Sequence, residues 1–319
     1  MKKNDDDMFR KERELLNHFE KVYKSNIYDF DELMNEYFNL GKAYRKLLKQ
    51  TNKLIRISDR TQKELYNTRA ELQNQYDYID AELKKAAEHV KSLLPSPYYD
   101  ETLSIDWEYE PSSQLGGDIF GYQFLDNKHL AIYVVDVCGH GIGPALHSVS
   151  VLNTIKFRSL PRTDFLDPGS VLSSLNSTFS MFDHNNLYFT MWYCVLDVSS
   201  GDMKFAGSGH PPMIRIDKDD DIILHKSTNP PVGSAPNFDF QYDSLVLTPG
   251  SRIFLYTDGV YEVKDVKGFY MDYEVFLDYL TKIDKSNKEL SDIYDFAIDF
   301  SFNKMLEDDF TILKLAYRC

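Results

Sequence analysis

The chain has 319 residues, 43% of them hydrophobic and 14% aromatic, and a formal charge of −14. That is apolar mass enough for one sizeable core plus an extension, while the charge opposes nonspecific attraction to nucleic acid or anionic lipid, both polyanions. No apolar run approaches the roughly 18 residues of a membrane span, the opening "MKKNDDDMFRKERELL" lacks the apolar segment of a signal peptide, and Cys138, Cys194 and Cys319 have neither disulfide-framework nor metal-finger spacing, so a cytoplasmic protein with reduced thiols, no nucleic-acid partner and no membrane span is expected.

In chain order, a short helix is expected over about Met8 to Tyr23, broken by "KSNIYDFDE" with Asp29 as a cap for the next. From Phe30 to Leu94 the sequence reads as nearly continuous helix. Gly41 is its only glycine, no proline precedes Pro95, and good helix formers dominate. Apolar positions fall close to coiled-coil spacing: Tyr44, Leu47, Thr51, Leu54 and Ser58 in one register, then Leu65, Leu72, Tyr76, Ile79, Leu83, Ala86 and Val90 in another. Steps of four at Leu54, Ser58 and Gln62 join the two, the pattern of a stutter. Two readings stand side by side: a solvated helix packed on its own domain, or a parallel dimeric coiled coil that passes a signal onward.

"LLPSPYY" ends the helix, because each proline removes a donor and disfavours helical backbone before it. The expected organisation is a helical, dimerising or regulatory region over 1–94 and a second domain over 95–319. In the latter, short β-rich runs dominate: "IFGYQFL", "HLAIYVVDV", "YFTMWYCVLDV", "MKFAGSG", "PMIRI", "DIILH", "DFQYDSLVL", "SRIFLYT" and "FTILKLAY". Helical patterns lie near Gly143 to Arg158, Pro168 to Phe182, Tyr273 to Leu280 and Lys288 to Leu306. Turns in "LDNKHL" and "LDVSSGDMKF" read as antiparallel hairpins. Strands in runs, with helices grouped rather than alternating, predict an α+β domain of packed antiparallel sheets.

Within that domain, acids recur where an apolar strand meets a glycine turn. Asp118 follows two glycines in "LGGDIF", Asp136 ends the strand of "YVVDVCGHGIG", and Asp258 stands before Gly259 in "LYTDGV". Asp308 and Asp309 open the last strand in "LEDDFTILKL". Each alone is ordinary turn chemistry. Converging on one sheet edge, they would repel unless a cation sat among them, and all-oxygen donors suit a hard divalent ion, Mg²⁺ or Mn²⁺.

The set of "GGDIFGYQFL", "VVDVCGHGIGPAL", "FAGSGHPP", "PPVGS", "LTPGSRIFLYTDGVYEV" and "DDFTILKL", in that order, resembles the metal-dependent PPM protein phosphatases, and specifically their bacterial SpoIIE/RsbU-like branch. The resemblance covers about Leu94 to Arg318. It implies a PPM-type αββα sandwich of two antiparallel sheets flanked by helices, and removal of phosphate from phosphoserine or phosphothreonine on a partner protein. It also implies that Asp118, Asp136, Asp258 and Asp308 act through metal-activated water. Asp136 is the expected bridge between two ions, the backbone carbonyl of Val137 a further ligand, and Asp309 a support or a turn cap; a weaker third ion could draw on the same acids.

Such a pair of cations answers the chemistry of a phosphomonoester dianion, which repels hydroxide while water itself is a poor nucleophile. Cys138 reads as a small loop residue rather than a nucleophile, since no cysteine-phosphatase motif accompanies it. His140 is a weaker candidate for protonating the leaving oxygen, and His210 in "GSGHPP" reads as a hairpin lock. By resemblance, the substrate is a phosphorylated STAS-type anti-sigma-factor antagonist in a partner-switching pathway, with an upstream activator acting through a homodimer of the N-terminal helices. The alternatives are a catalytically silent scaffold of the same fold and a phosphatase of a small phosphorylated molecule.

Overall fold

A computed structural model describes residues 10–25, 29–286, 288–302 and 304–319. Backbone contacts divide the chain into two compact units, Met1–Asp80 and Ala81–Cys319, so the division falls inside a helix. Among the described residues, no helix is long and apolar enough to cross a membrane.

The first unit holds α1 (Arg10–Ser25) and the greater part of α2 (Phe30–Leu93). Met8 and Phe9, at the expected start of the first helix, and residues 26–28 of the break lie outside the described residues. Asp29 accepts the Leu33 N–H through its backbone carbonyl at 3.0 Å. Ion pairs Lys46–Glu12 (2.9 Å) and His18–Glu36 (3.4 Å) run in opposite sense along the two helices, so α1 and this part of α2 lie antiparallel. Neither helix has a buried residue.

The second unit contains the end of α2 and two antiparallel sheets. One sheet has six strands in the order β1 (Tyr98–Tyr99), β2 (Leu103–Glu110), β11 (Phe310–Tyr317), β10 (Arg252–Tyr256), β7 (Met213–Ile216) and β8 (Ile222–His225). The other has five: β3 (Asp118–Phe124), β4 (His129–Val137), β5 (Phe189–Asp197), β6 (Asp202–Ser208) and β9 (Asp243–Val246). Helices α3 (Ile142–Lys156) and α4 (Pro168–Thr178) pack on the five-stranded sheet, and α5 (Tyr273–Lys285) and α6 (Ser291–Phe300) on the six-stranded one.

Alternation along the strands explains the layers. In β10, Ile253 and Leu255 join the core between the sheets, whereas Phe254 and Tyr256 face α5 and α6. In β11, Leu313 and Leu315 point inward, and Phe310 and Ile312 outward to the same helices. Strand β4 is covered on both faces, which is why Leu130 to Val135 is an unbroken apolar run. Both expected hairpins are present, β3 with β4 and β5 with β6.

Helix ends depart from the sequence pattern where tertiary packing overrides it. α4 stops at Thr178 rather than Phe182, because Phe179 leaves helical backbone (φ −112°, ψ 44°) and its ring is buried. α6 is confined to Ser291–Phe300 within the expected 288–306, since Ser301 turns extended (φ −64°, ψ 136°); Asn303, inside that range, is not among the described residues. α5 runs on to Lys285, capped at its start by the Asp272 side chain, which accepts the Glu274 N–H.

Candidate metal centre

The site is built on the pairing of β3 with β4. Asp118 is the first residue of β3, and its cross-strand partner is Asp136 near the end of β4. Residues directly opposite in an antiparallel pair project from the same face, so the register alone sets two carboxylates side by side. The next strand places Thr190 opposite Asp136. From the other sheet, Asp258 opens a single 3-10 turn just after β10, and Asp308 stands two residues before β11.

Asp118 is buried, and its Oδ2 accepts hydroxyl hydrogen bonds from Thr257 (2.7 Å), just after β10, and Thr311 (2.6 Å) of β11, both on the side of the opposite sheet. Those hydroxyls favour its charged form, but burial and the nearby Asp136 and Asp309 outweigh them and hold the carboxyl well above the usual carboxylate range. Asp136 is pushed up to about 8, first by desolvation and then by Asp258, Asp308 and Asp309, with the Thr190 hydroxyl opposing. Asp258 rises to about 6 through burial, Asp308 and Glu262. Asp308 is more exposed, and its carboxyl is raised chiefly by partial desolvation.

These acids therefore form one electrostatic group drawn from both sheets, each member biased toward its neutral form by burial and by the others. Among the described residues no group of three or more His, Cys, Asp or Glu side chains is gathered closely enough to hold a metal ion as it stands; the acids are set at the strand ends of both sheets. As a donor set, all-oxygen and surplus in negative charge, they fit a hard divalent cation.

Other sequence candidates fall around this group. The Val137 carbonyl lies against Gly117, where an added Cβ would come within 2.6 Å of it. His140 is exposed in the loop before α3, near enough to Asp308 for its charge to act on that carboxyl. The Cys138 thiol is half-buried and accepts the Tyr188 N–H at 3.4 Å, a loop contact. Asp309 is buried and hydrogen-bonds the turn before Asp118.

His210 follows β6, as a hairpin lock would, but it also reaches the site. Its Nδ1 lies 2.7 Å from Thr190 Oγ1, and the Thr190 hydroxyl hydrogen-bonds Asp136. Burial pushes the imidazole down to about 3, so the ring is neutral. Sequence reasoning missed Thr190, Thr257, Thr311 and Ser112. Thr257 and Thr311 had a usable signal, each lying within three residues of a singled-out acid in "YTDG" and "DDFT".

Two face-to-face antiparallel sheets, outer helices and an acid cluster between the sheet ends define the PPM (PP2C) phosphatase fold. The SiaA-PP2C domain of Pseudomonas aeruginosa superposes with a TM-score of 0.62 at 19% identity, covering 76% of this chain and 98% of that one. The PP2C phosphatase domain of SpoIIE from Bacillus subtilis, solved with a fragment of its regulatory domain, gives 0.56 at 18% identity over 69% of this chain and 64% of that one. Residues 126–318 match the family model described as Stage II sporulation protein E (SpoIIE), and the chain belongs to that family. Phosphoserine phosphatase RsbP of Bacillus subtilis (strain 168) is 34% identical over 183 residues, 56% of this chain and 45% of RsbP. Phosphoserine phosphatase RsbU of the same organism is 28% identical over 243 residues, 74% of this chain and 70% of RsbU. The alignments thus span less than half of RsbP and, at 37%, of Protein IcfG from Synechocystis.

Proposed function

We propose that the protein is a metal-dependent phosphoserine/phosphothreonine protein phosphatase, with residues 95–319 catalytic and residues 1–94 a dimerising, regulatory region. The observation that carries this reading is the meeting of Asp118 and Asp136 from one sheet with Asp258 and Asp308 from the other, all with raised carboxyl pKa values. Family membership and the phosphoserine phosphatase relatives support it.

In this reading Asp118, Asp136, Asp258 and Asp308, with the Val137 carbonyl, hold two Mn²⁺ or Mg²⁺ ions. Bound there, the ions supply Lewis-acid activation of water and neutralisation of the phosphoryl oxygens. The chain's own work is to keep the acids in place. Thr257 and Thr311 orient Asp118, while His210 acts through Thr190 on Asp136. His140, exposed beside Asp308, in this reading hands a proton to the leaving serine or threonine oxygen.

The substrate in this reading is a phosphorylated STAS-type anti-sigma-factor antagonist in a partner-switching pathway, and an upstream partner acts through the helices. Exposed Leu65, Leu72, Tyr76 and Ile79 on α2 support a coiled-coil homodimer. The end of α2 also meets the last residue of β2, ahead of the loop that leads to Asp118, through Lys91 Nζ to Glu110 Oε1 at 3.4 Å. The test is phosphate release from a phosphoserine STAS protein with and without Mn²⁺, set beside small phosphoesters. Turnover of the phosphoprotein that needs Mn²⁺ supports the reading; turnover confined to small phosphoesters moves the substrate to that class, and none on either, with a control phosphatase active, favours a silent scaffold.

A further inference from the structure

The adjacent acids Asp308 and Asp309 are chemically identical, yet their surroundings differ. Asp308 is exposed and its Oδ1 accepts the Asp309 N–H at 2.8 Å. Asp309 is 3% exposed. Its Oδ1 accepts from Ser112 N (2.8 Å) and Ser112 Oγ (2.9 Å), and its Oδ2 from Gly117 N (2.6 Å) and, at longer range, Asp118 N (3.4 Å). A carboxylate presents about four lone-pair positions. Protein donors meet all of them.

The surrounding backbone is cut to fit this carboxylate. A Cβ on Gly116 would fall 2.4 Å from Asp309 Oδ2, and one on Gly259 would fall 2.2 Å from the Asp309 carbonyl oxygen. Thr257 Oγ1, which donates to Asp118, lies 3.3 Å from that same carbonyl. Asp309 therefore touches the turn that delivers Asp118 and the turn that carries Asp258.

We propose that Asp309 is a positioning residue, a saturated carboxylate that latches the Ser112–Gly117 turn and so fixes where Asp118 stands, with Asp308 alone of the pair available to a cation. The proposal rests on the metal-centre reading above for its second half, while the latch itself is a property of the metal-free chain.

The test measures amide hydrogen exchange without metal and Mn²⁺ affinity by calorimetry, in the wild type, Asp309→Asn and Ser112→Ala. Asp309→Asn keeps the size but turns an amide N–H against a backbone donor; Ser112→Ala removes the hydroxyl bond and keeps the Ser112 N–H bond. The expected result is a protected Gly117 amide in the wild type that exchanges at least about tenfold faster in Asp309→Asn. Mn²⁺ affinity should then fall about 10- to 100-fold in Asp309→Asn and a few-fold in Ser112→Ala. Loss of all Mn²⁺ binding in Asp309→Asn, with Gly117 exchange and Ser112→Ala affinity both unchanged, would make Asp309 a ligand and overturn the proposal. Wild-type affinity in Asp309→Asn with a lowered melting temperature would reduce it to a fold-holding group. A Gly117 amide that exchanges freely in the wild type would remove the latch. No Mn²⁺ binding by the wild type, with Gly117 protected, would overturn the metal-centre reading and the cation half of this proposal, leaving the exchange data to decide the latch.

Discussion

The two units of the chain use apolar residues in opposite ways. In the first, α1 and α2 bury none, and leucines at coiled-coil spacing such as Leu65 and Leu72 remain 68% and 65% exposed. In the second, the period-two strands close a core around Trp192, Phe120 and Leu255 between the sheets. The helical stripe at Leu65 and Leu72 is exposed among the described residues, whereas each sheet carries its cover in the opposing sheet. Fold stability is therefore concentrated in the second unit, which also holds the acid cluster.

The sharpest way to break this division is Asp136→Ala, which should lower Mn²⁺-dependent phosphate release by about a thousandfold or more while leaving the helical content of circular dichroism unchanged. Residual turnover near the wild-type level would move the chemistry elsewhere. Next in size is a pair of truncations to alanine. Trp192→Ala, at a fully buried side chain whose Nε1 donates to the Pro211 carbonyl at 2.8 Å, should cost about 3–5 kcal/mol in denaturant unfolding. Leu72→Ala should change that unfolding by less than about 0.5 kcal/mol yet weaken self-association in sedimentation. Equal effects on unfolding would erase the contrast between the units.

The third test uses pH. The carboxyl of Asp136 is raised to about 8, so the folded metal-free protein holds a proton there that the unfolded chain releases near its ordinary 3.8. Folding stability from this group is present below roughly pH 4 and is lost as pH rises toward 8. Calorimetric Mn²⁺ affinity should run the other way, rising from pH 6 to 8 as the ligand proton leaves. His210 has the opposite sign for stability: its neutral ring is tolerated, and stability falls as pH drops from about 6.5 toward 3. An affinity flat from pH 6 to 8 would separate Asp136 from metal binding. The smallest effect belongs to Lys91→Ala. With its ion pair to Glu110 54% and 41% exposed, stability should move by less than about 0.5 kcal/mol. A change in phosphate release well beyond that would identify the end of α2 as an input to the site.

Much of this was legible in the sequence because the informative features are local. The strand-to-glycine setting of Asp118, Asp136 and Asp258, and the alternation in "SRIFLYT", depend on neighbours within a few residues. The long helix was legible for the same reason, from propensity and the lack of proline. What escaped were partnerships across the fold. Ser112 and Asp309 are 197 residues apart, and Thr311 and Asp118 are 193 apart; nothing local distinguishes the Ser112 hydroxyl from a surface one, and Thr311 is marked only by its nearness to Asp308 and Asp309. The fate of the Asp308–Asp309 pair also depended on which of them met the Gly117 N–H, a matter of register between β11 and the turn before β3.

Because Asp118 and Asp136 hang from one sheet and Asp258 and Asp308 from the other, a cation held among them would clasp the sandwich at one end. Each tenfold excess of free metal over its dissociation constant then adds about 1.4 kcal/mol to the folded state. Starvation for that metal would lower the amount of folded protein, so the abundance of this protein would itself become a gauge of the cell's divalent-ion supply.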